Sequence, residues 1–240
     1  GLAFSLTLGW VPAAWAQAEE AGKLQTITVT AERRSENILE VPSSISTINP
    51  ELLDVLATSG QDVRVLSGRV PSLNIESSFG RAFPRFYIRG YGNTDFNIFA
   101  SQPVSLIYDD VVQENPILKG YPIFDVAGVE VLRGPQGTLF GRNTPAGVVK
   151  FESVKPNLDK VEGYYNVSAA THNTTNFDGA VNVPLSKEWA LRFSTLRQHR
   201  DDYVDNTFTG QKNALDGYNE HAERVQLLYA PNTMFNALFN

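Results

Sequence analysis

The chain has 240 residues, 20 Lys+Arg against 26 Asp+Glu, a formal net charge of −6, and no cysteine. Without thiols there is no disulfide scaffold, zinc–thiolate site, iron–sulfur cluster or cysteine nucleophile. An acidic balance with no long Lys/Arg run excludes the clustered basic footprint that nucleic acid requires, and abundant Gly and aromatics with a single Met read as β structure rich in turns.

Residues 1–16 carry no charge and end Ala14-Trp15-Ala16, ahead of Gln17 and the acidic Glu19-Glu20. An apolar stretch with a small-x-small cleavage site reads as a secretory signal peptide lacking its basic n-region, and it falls short of the roughly 20 residues of a spanning helix. Residues 17–40 form a tail. Its polar start leads into a β-branched run at 24–31, closed by charged residues at 32–37. A lone strand near a terminus is unstable by itself and is shaped to pair with a sheet edge elsewhere.

Residues 41–156 read as a compact α/β unit. A strand is expected at 45–48, then a helix from Asn49 as N-cap, with Pro50 in the first position and Glu51 in the first turn. A second short helix over 60–68 closes on glycine. Strands follow at 85–89, 104–108, 129–133 and 148–151, separated by long loops at 90–102 and 113–122.

Residues 157–240 change texture. Gly163, Tyr165, Val167 and Ala169 alternate with Tyr164, Asn166, Ser168 and Ala170, and Phe177, Val181 and Val183 oppose Asp178, Ala180 and Asn182. Trp189, Leu191 and Phe193 oppose Ala190, Arg192 and Ser194, and Val225, Leu227 and Tyr229 oppose Arg224, Gln226 and Leu228. Such runs approach the roughly 9–11 residues of a tilted membrane strand. Short connections at 184–188 and 231–233 contrast with a long polar loop at 201–220. A soluble β-sandwich alternates too; the signal peptide and the loop asymmetry favour a membrane barrel, with four or five strands present.

No enzyme chemistry stands out, and neither a cofactor nor a metal site is expected. Gly134-x-x-Gly137 lacks the Gly-Lys-Ser/Thr of a phosphate loop, and Gly90-x-Gly92 lacks a third glycine. Adjacent Asp109 and Asp110, taken as strand residues, point to opposite faces. His172, His199 and His221 are too scattered for a ligand pair, and residues 201–217 do not match a calcium loop.

The most specific stretch is residues 124–149, with Glu130-Val131-Leu132-Arg133-Gly134-Pro135, then Gly137, Gly141-Arg142-Asn143 and Gly147. Upstream lie Ile88-Arg89-Gly90-Tyr91-Gly92 and Tyr108-Asp109-Asp110-Val111. In this order the motifs resemble those of TonB-dependent outer-membrane receptors, with Asp110 where the family's turn has glycine. The resemblance implies an α+β plug domain, a small mixed β-sheet with short helices, followed by antiparallel transmembrane β-barrel strands. The barrel is incomplete here, since the family's barrels have 22 strands. It further implies import of a scarce, bulky nutrient, a ferric siderophore first, with cobalamin or a glycan as alternatives, and no catalysis.

By the same resemblance Thr26, Ile27, Thr28, Val29, Thr30 and Ala31 form the TonB box, which lends a strand to TonB's sheet, and the charged stretch behind it frees it from the plug. Arg89, Gly90, Glu130, Arg133, Gly134, Pro135, Gly137, Gly141, Arg142 and Gly147 form the plug motif, whose charged members bond the barrel wall. Arg81, Phe83, Tyr91, Asn93, Asp95 and Phe96 are candidate ligand contacts, because loops carrying aromatic and polar groups suit binding. The expected location is the outer membrane of a Gram-negative cell, with plug and box reaching the periplasm; the expected partners are TonB, the ligand and lipid, and the expected state is monomeric. A receptor that mainly signals is the second reading. A soluble periplasmic domain is the third.

Overall fold

A computed structural model describes residues 28–30, 36–41, 43–57, 60, 62–95, 97 and 99–240. The signal-peptide reading of 1–16, together with Thr26, Ile27, Ala31 and Phe96, lies outside the described residues.

In chain order the elements are β1 (Thr28–Val29), β2 (Glu36–Asn37), β3 (Ser44–Ile48), α1 (Pro50–Ala57), β4 (Leu73–Glu76), β5 (Arg85–Ile88), β6 (Tyr91–Gly92), β7 (Val104–Tyr108), β8 (Val111–Gln113), β9 (Val126–Arg133), α2 (Gly137–Phe140) and β10 (Gly147–Ser153). There follow β11 (Glu162–Ala170), β12 (Thr174–Pro184), β13 (Trp189–Arg200), β14 (Val204–Asn206), β15 (Gln211–Leu215), β16 (Tyr218–Asn232) and β17 (Phe235–Phe239).

The α/β unit is built on a five-stranded mixed sheet in the order β3-β9-β10-β7-β8, parallel only between β10 and β7. Its central strands are largely buried on both faces, so they are mostly apolar, broken by Ser105, Glu130 and Lys150. On one face Leu106, Val131 and Val149 pack with Leu53 of α1, Val63, Leu66 and the small β4-β5-β6 sheet. On the other, Ile107, Leu132 and Val148 pack with Phe140 and with Val29 of the N-terminal segment.

Local chemistry sets the element ends. The Asn49 side chain accepts from the Leu52 amide at 3.0 Å and so caps α1. The helix expected at 60–68 is a single 3-10 turn, Val63–Leu66, because Asp62 caps it through the Arg64 amide and Gly68, at φ 74, ends it. Asp109 and Asp110 are not strand residues: at φ 46 and 66 they form the two-residue turn joining β7 to β8, with Tyr108 opposite Val111. A turn of this hand needs two left-handed residues, and aspartate tolerates that conformation better than most. Arg89 and Gly90, at φ 55 and 78, do the same between β5 and β6.

Strands β11-β12-β13-β16-β17 form an antiparallel meander that does not close. Its first four strands run 9, 11, 12 and 15 residues. The loop expected at 201–220 holds a hairpin, β14–β15, and yields to β16 at Tyr218 because Tyr218 still pairs with Arg200. Side-chain polarity is inverted relative to a soluble sheet: Asn182, Arg192, Ser194, Gln198 and Gln226 are buried, whereas Tyr165, Val167, Phe177, Val181, Phe193 and Val225 are exposed. This is the alternation of a lipid-facing barrel wall. At the short-turn end Trp189 stacks on its cross-strand partner Tyr229, with centroids 4.3 Å apart, where an interfacial aromatic girdle belongs.

Candidate functional site

Two polar constellations stand out, one at the N-terminal segment and one between the α/β unit and the antiparallel sheet. The first starts from strand alternation. Along β10 the face that carries Val148 continues into Lys150 and Glu152, and along β9 the face that carries Leu132 continues into Glu130, directly across from Lys150. An apolar floor thus runs into a charged one, and residues 28–30 lie over the junction. Val29 is wholly buried on the apolar part. Thr30 sits on the charged part, its amide donating to Glu130 Oε1 at 2.7 Å. Its hydroxyl donates to Glu152 Oε1 at 2.7 Å and accepts from Lys150 Nζ at 2.9 Å.

Lys150, 1% exposed, also bonds Glu152 at 2.5 Å and lies 3.5 Å from Asp110. Burial pushes the Glu130 carboxyl above its ordinary range, offset in part by the Thr30 amide and the Lys150 charge. For Glu152 burial acts in the same direction, but the hydrogen bonds from Lys150 and Thr30 outweigh it and hold this carboxyl low. The segment is therefore docked, not the free tether expected from the charges that follow it. It turns back on itself, Thr28 pairing with Asn37 and Val29 with Glu36, because Val29 finds an apolar floor and Thr30 a complete set of partners.

In the second constellation, Asp125 and Arg192 are buried at 4% exposure each. The guanidinium grips the carboxylate through Nε at 2.8 Å and a terminal nitrogen at 2.5 Å, and Ser194 donates to the same carboxylate. Arg224 donates to the Tyr108 hydroxyl and the Phe124 carbonyl, both at 2.7 Å, and lies over the Phe124 ring. Gln226 donates to Ser153 at 2.8 Å. Burial, countered only partly by Arg224, pushes the Tyr108 phenol up to about 12, so it stays protonated. Asp109, whose burial would raise it, is held low by Lys155 and Ser153.

Among the described residues, those expected to bond the wall have the following partners. Glu130 serves the N-terminal segment. Arg133 donates to Ser44, Pro71 and Ile45 within its own unit, and Arg142 pairs with Glu114 in an exposed fork. Arg89 and Gly90 are turn residues, as above. Gly134, at φ 102, donates to the Ala146 carbonyl, so the turn through Pro135 closes the β9–β10 connection. Gly137 opens α2 and Gly141 closes it. Gly147 is irreplaceable on steric grounds: at φ 149 a Cβ would run into the Leu132 backbone oxygen.

Of the candidate ligand contacts, Arg81 is the tie to the sheet. It pairs with Glu220 at 2.6 Å and Gln198 at 3.0 Å, bonds the Gly60 carbonyl, and stacks on Tyr218 with 3.6 Å from guanidinium carbon to ring centroid. A cavity of about 540 Å³ beside it is lined by Asp62, Arg64, Arg81, Arg200, Asp216 and Tyr218, among others. Phe83 is buried against Phe79. Asn93 is buried, its side chain accepting from the Asp95 amide, and of the five described candidates only Tyr91 and Asp95 face outward. The five described ones are divided between the tie to the sheet, the core and the surface. Asp125, Arg192 and Arg224 were missed as a set, although the alternation had already placed both arginines on the polar side.

Lys119 is a further buried cation, 1% exposed, donating to Gln102 at 2.5 Å and the Val104 carbonyl at 3.0 Å. Burial pulls its pKa down to about 8, slightly offset by Glu114.

A family model described as TonB-dependent Receptor Plug Domain matches residues 37–148. The chain is 29% identical over 211 residues to the pesticin receptor of Yersinia pestis, covering 86% of this chain and 30% of that protein. It is 22% identical over 191 residues to the ferrioxamine receptor of Yersinia enterocolitica, covering 77% and 25%. Among solved structures, the ferric yersiniabactin uptake receptor FyuA from Yersinia pestis superposes with a TM-score of 0.70 at 25% identity, over 80% of this chain and 29% of that one. The chain thus spans 30% of the length of the pesticin receptors it matches.

Proposed function

Given that this chain carries the plug domain and early barrel strands of a TonB-dependent receptor, we propose that it serves energy-coupled import across the outer membrane, with a ferric siderophore as the cargo. The observation that carries this reading is the inverted wall: apolar side chains outward, and polar ones gripping an α/β unit that keeps its N-terminal segment docked. The names of relatives that bind ferrioxamine or take up ferric yersiniabactin support the cargo class. The work is binding and movement, without catalysis.

In this reading residues 26–31 are the TonB box. Plug and box face the periplasm, residues 41–156 are the moving plug, and residues 157–240 begin the wall of a monomeric barrel. TonB adds an extended strand from the box to its own sheet, through main-chain hydrogen bonds. Tyr91 and Asp95, the outward members of the candidate contact set, are proposed to meet the cargo.

The test is deletion of residues 26–31 in the receptor within its own membrane, followed by binding and uptake assays with a panel of ferric siderophores, cobalamin and oligosaccharides. One ferric siderophore should still bind and no longer enter. Uptake that survives the deletion refutes the coupling role, and uptake of only cobalamin or an oligosaccharide refutes the cargo.

A further inference from the structure

We infer that Glu130, Lys150 and Glu152 form a latch that sets how often the N-terminal segment leaves the plug, with the Thr30 hydroxyl as its keystone. The inference rests on the reading of residues 26–31 as the coupling segment, yet it concerns docking itself, which is measurable without any partner.

The geometry makes Thr30 hard to replace. A hydroxyl has one proton and two lone pairs. Here the proton goes to Glu152, the nearer carboxylate at 2.7 Å against 3.3 Å for Glu130, and a lone pair receives Lys150. The amide of the same residue satisfies Glu130 Oε1. Three charged groups on two strands are thus hydrogen-bonded by one residue of the segment. Among the described residues Glu130 Oε2 is buried with no hydrogen-bond partner, so departure of Thr30 takes from this carboxylate both donors that Thr30 offers Oε1.

Lys150 is the middle of the arrangement. Facing Glu130 are Thr47 on β3, Lys150 and Glu152 on β10, and Thr30 on the segment. Asp110 reaches Lys150 from the β7–β8 turn, and the Lys155 charge is felt at Glu152. Without the lysine, two carboxylates converge on one hydroxyl, and the repulsion drives the segment off at neutral pH. Protonating either carboxylate relieves it. Acid should therefore restore docking in Lys150→Met.

The experiment uses the receptor in membranes of a strain without TonB, with Val29→Cys as the probe, because Val29 is fully buried when docked and cysteine packs as a small apolar residue. The maleimide labelling rate then reports undocking. Thr30→Val keeps the shape and removes the hydroxyl bonds, and it should raise labelling roughly tenfold to a hundredfold, from the usual worth of hydrogen bonds to charged groups. Lys150→Met should raise it at pH 7 and lose the effect toward pH 5. Labelling unchanged in both variants overturns the latch and leaves Val29 burial as the whole of the docking. Amide hydrogen exchange at Thr30 without any substitution gives an independent reading: protection supports the latch and fast exchange overturns it. If residues 26–31 prove dispensable for uptake, these results are unaffected, so the two ideas fail separately.

Discussion

The tie between Asp125 and Arg192 makes a quantitative prediction. Both side chains are buried, the guanidinium engages the carboxylate through two nitrogens, and Ser194 completes the carboxylate shell. Asp125→Ala leaves Arg192 as a buried cation without its counter-charge, which costs about 3–5 kcal/mol. Asp125 also sits at φ 49, so alanine there adds strain of about 1 kcal/mol. Asp125→Asn avoids that strain and keeps one acceptor, so it isolates the charge and should cost less. Arg192→Gln alone should be destabilising as well, because it orphans the aspartate, whereas Asp125→Asn with Arg192→Gln pairs two amides and recovers much of the loss. A double-mutant cycle should therefore give a coupling energy of about 2 kcal/mol. The assay is a urea titration of the receptor in detergent, with plug release read by trypsin cutting within residues 37–148. Additive single effects, with coupling under about 0.5 kcal/mol, would refute the claim that this ion pair holds plug to wall.

Two further predictions test burial and orientation. Lys119, with its pKa lowered to about 8 from 10.5, binds its proton less tightly folded than unfolded, so plug stability should rise with pH between those values. Lys119→Met should remove that slope and stabilise the plug below pH 8 by about 3 kcal/mol, as followed by urea titrations across pH 7–10; a flat wild-type profile would contradict the buried charge. On the outward face, Phe193→Lys puts a cation at mid-strand, where lipid exposure costs about 2–4 kcal/mol, read as a lower folding yield into vesicles. A solvated face would make the change nearly neutral, within about 0.5 kcal/mol.

Features fixed by neighbouring residues were legible from the sequence. The Asn49 cap, the Pro50 start and the β7 strand follow from side chains adjacent in the chain, and the inverted wall follows from period-two alternation. The Gly134-to-Gly147 stretch was legible as a motif but not as geometry. Its charged members looked like wall contacts, yet Arg133 bonds within its own unit and Glu130 bonds the N-terminal segment. Partners some 70 to 140 positions apart, such as Asp125 with Arg192 or Arg81 with Glu220, leave no periodic trace, because nothing local selects them. Asp109-Asp110 shows the reverse failure: taken as strand, it is a turn, since two adjacent aspartates can both adopt left-handed φ. The docking of residues 28–30 was not legible because their β-branched pattern suits any sheet edge, and where they settle depends on a floor assembled from β9 and β10.

The wall meets the plug through hydrogen bonds of Arg192, Ser194, Arg224 and Gln226. Such a seam can be rewetted. When apolar faces part, the cost grows with every square ångström exposed; when hydrogen-bonded faces part, water takes over the vacated donors and acceptors, and each bond forfeits about 0.5–3 kcal/mol net, the charged ones most. A plug seated this way can be loosened one contact at a time, with water following it in as a lubricant.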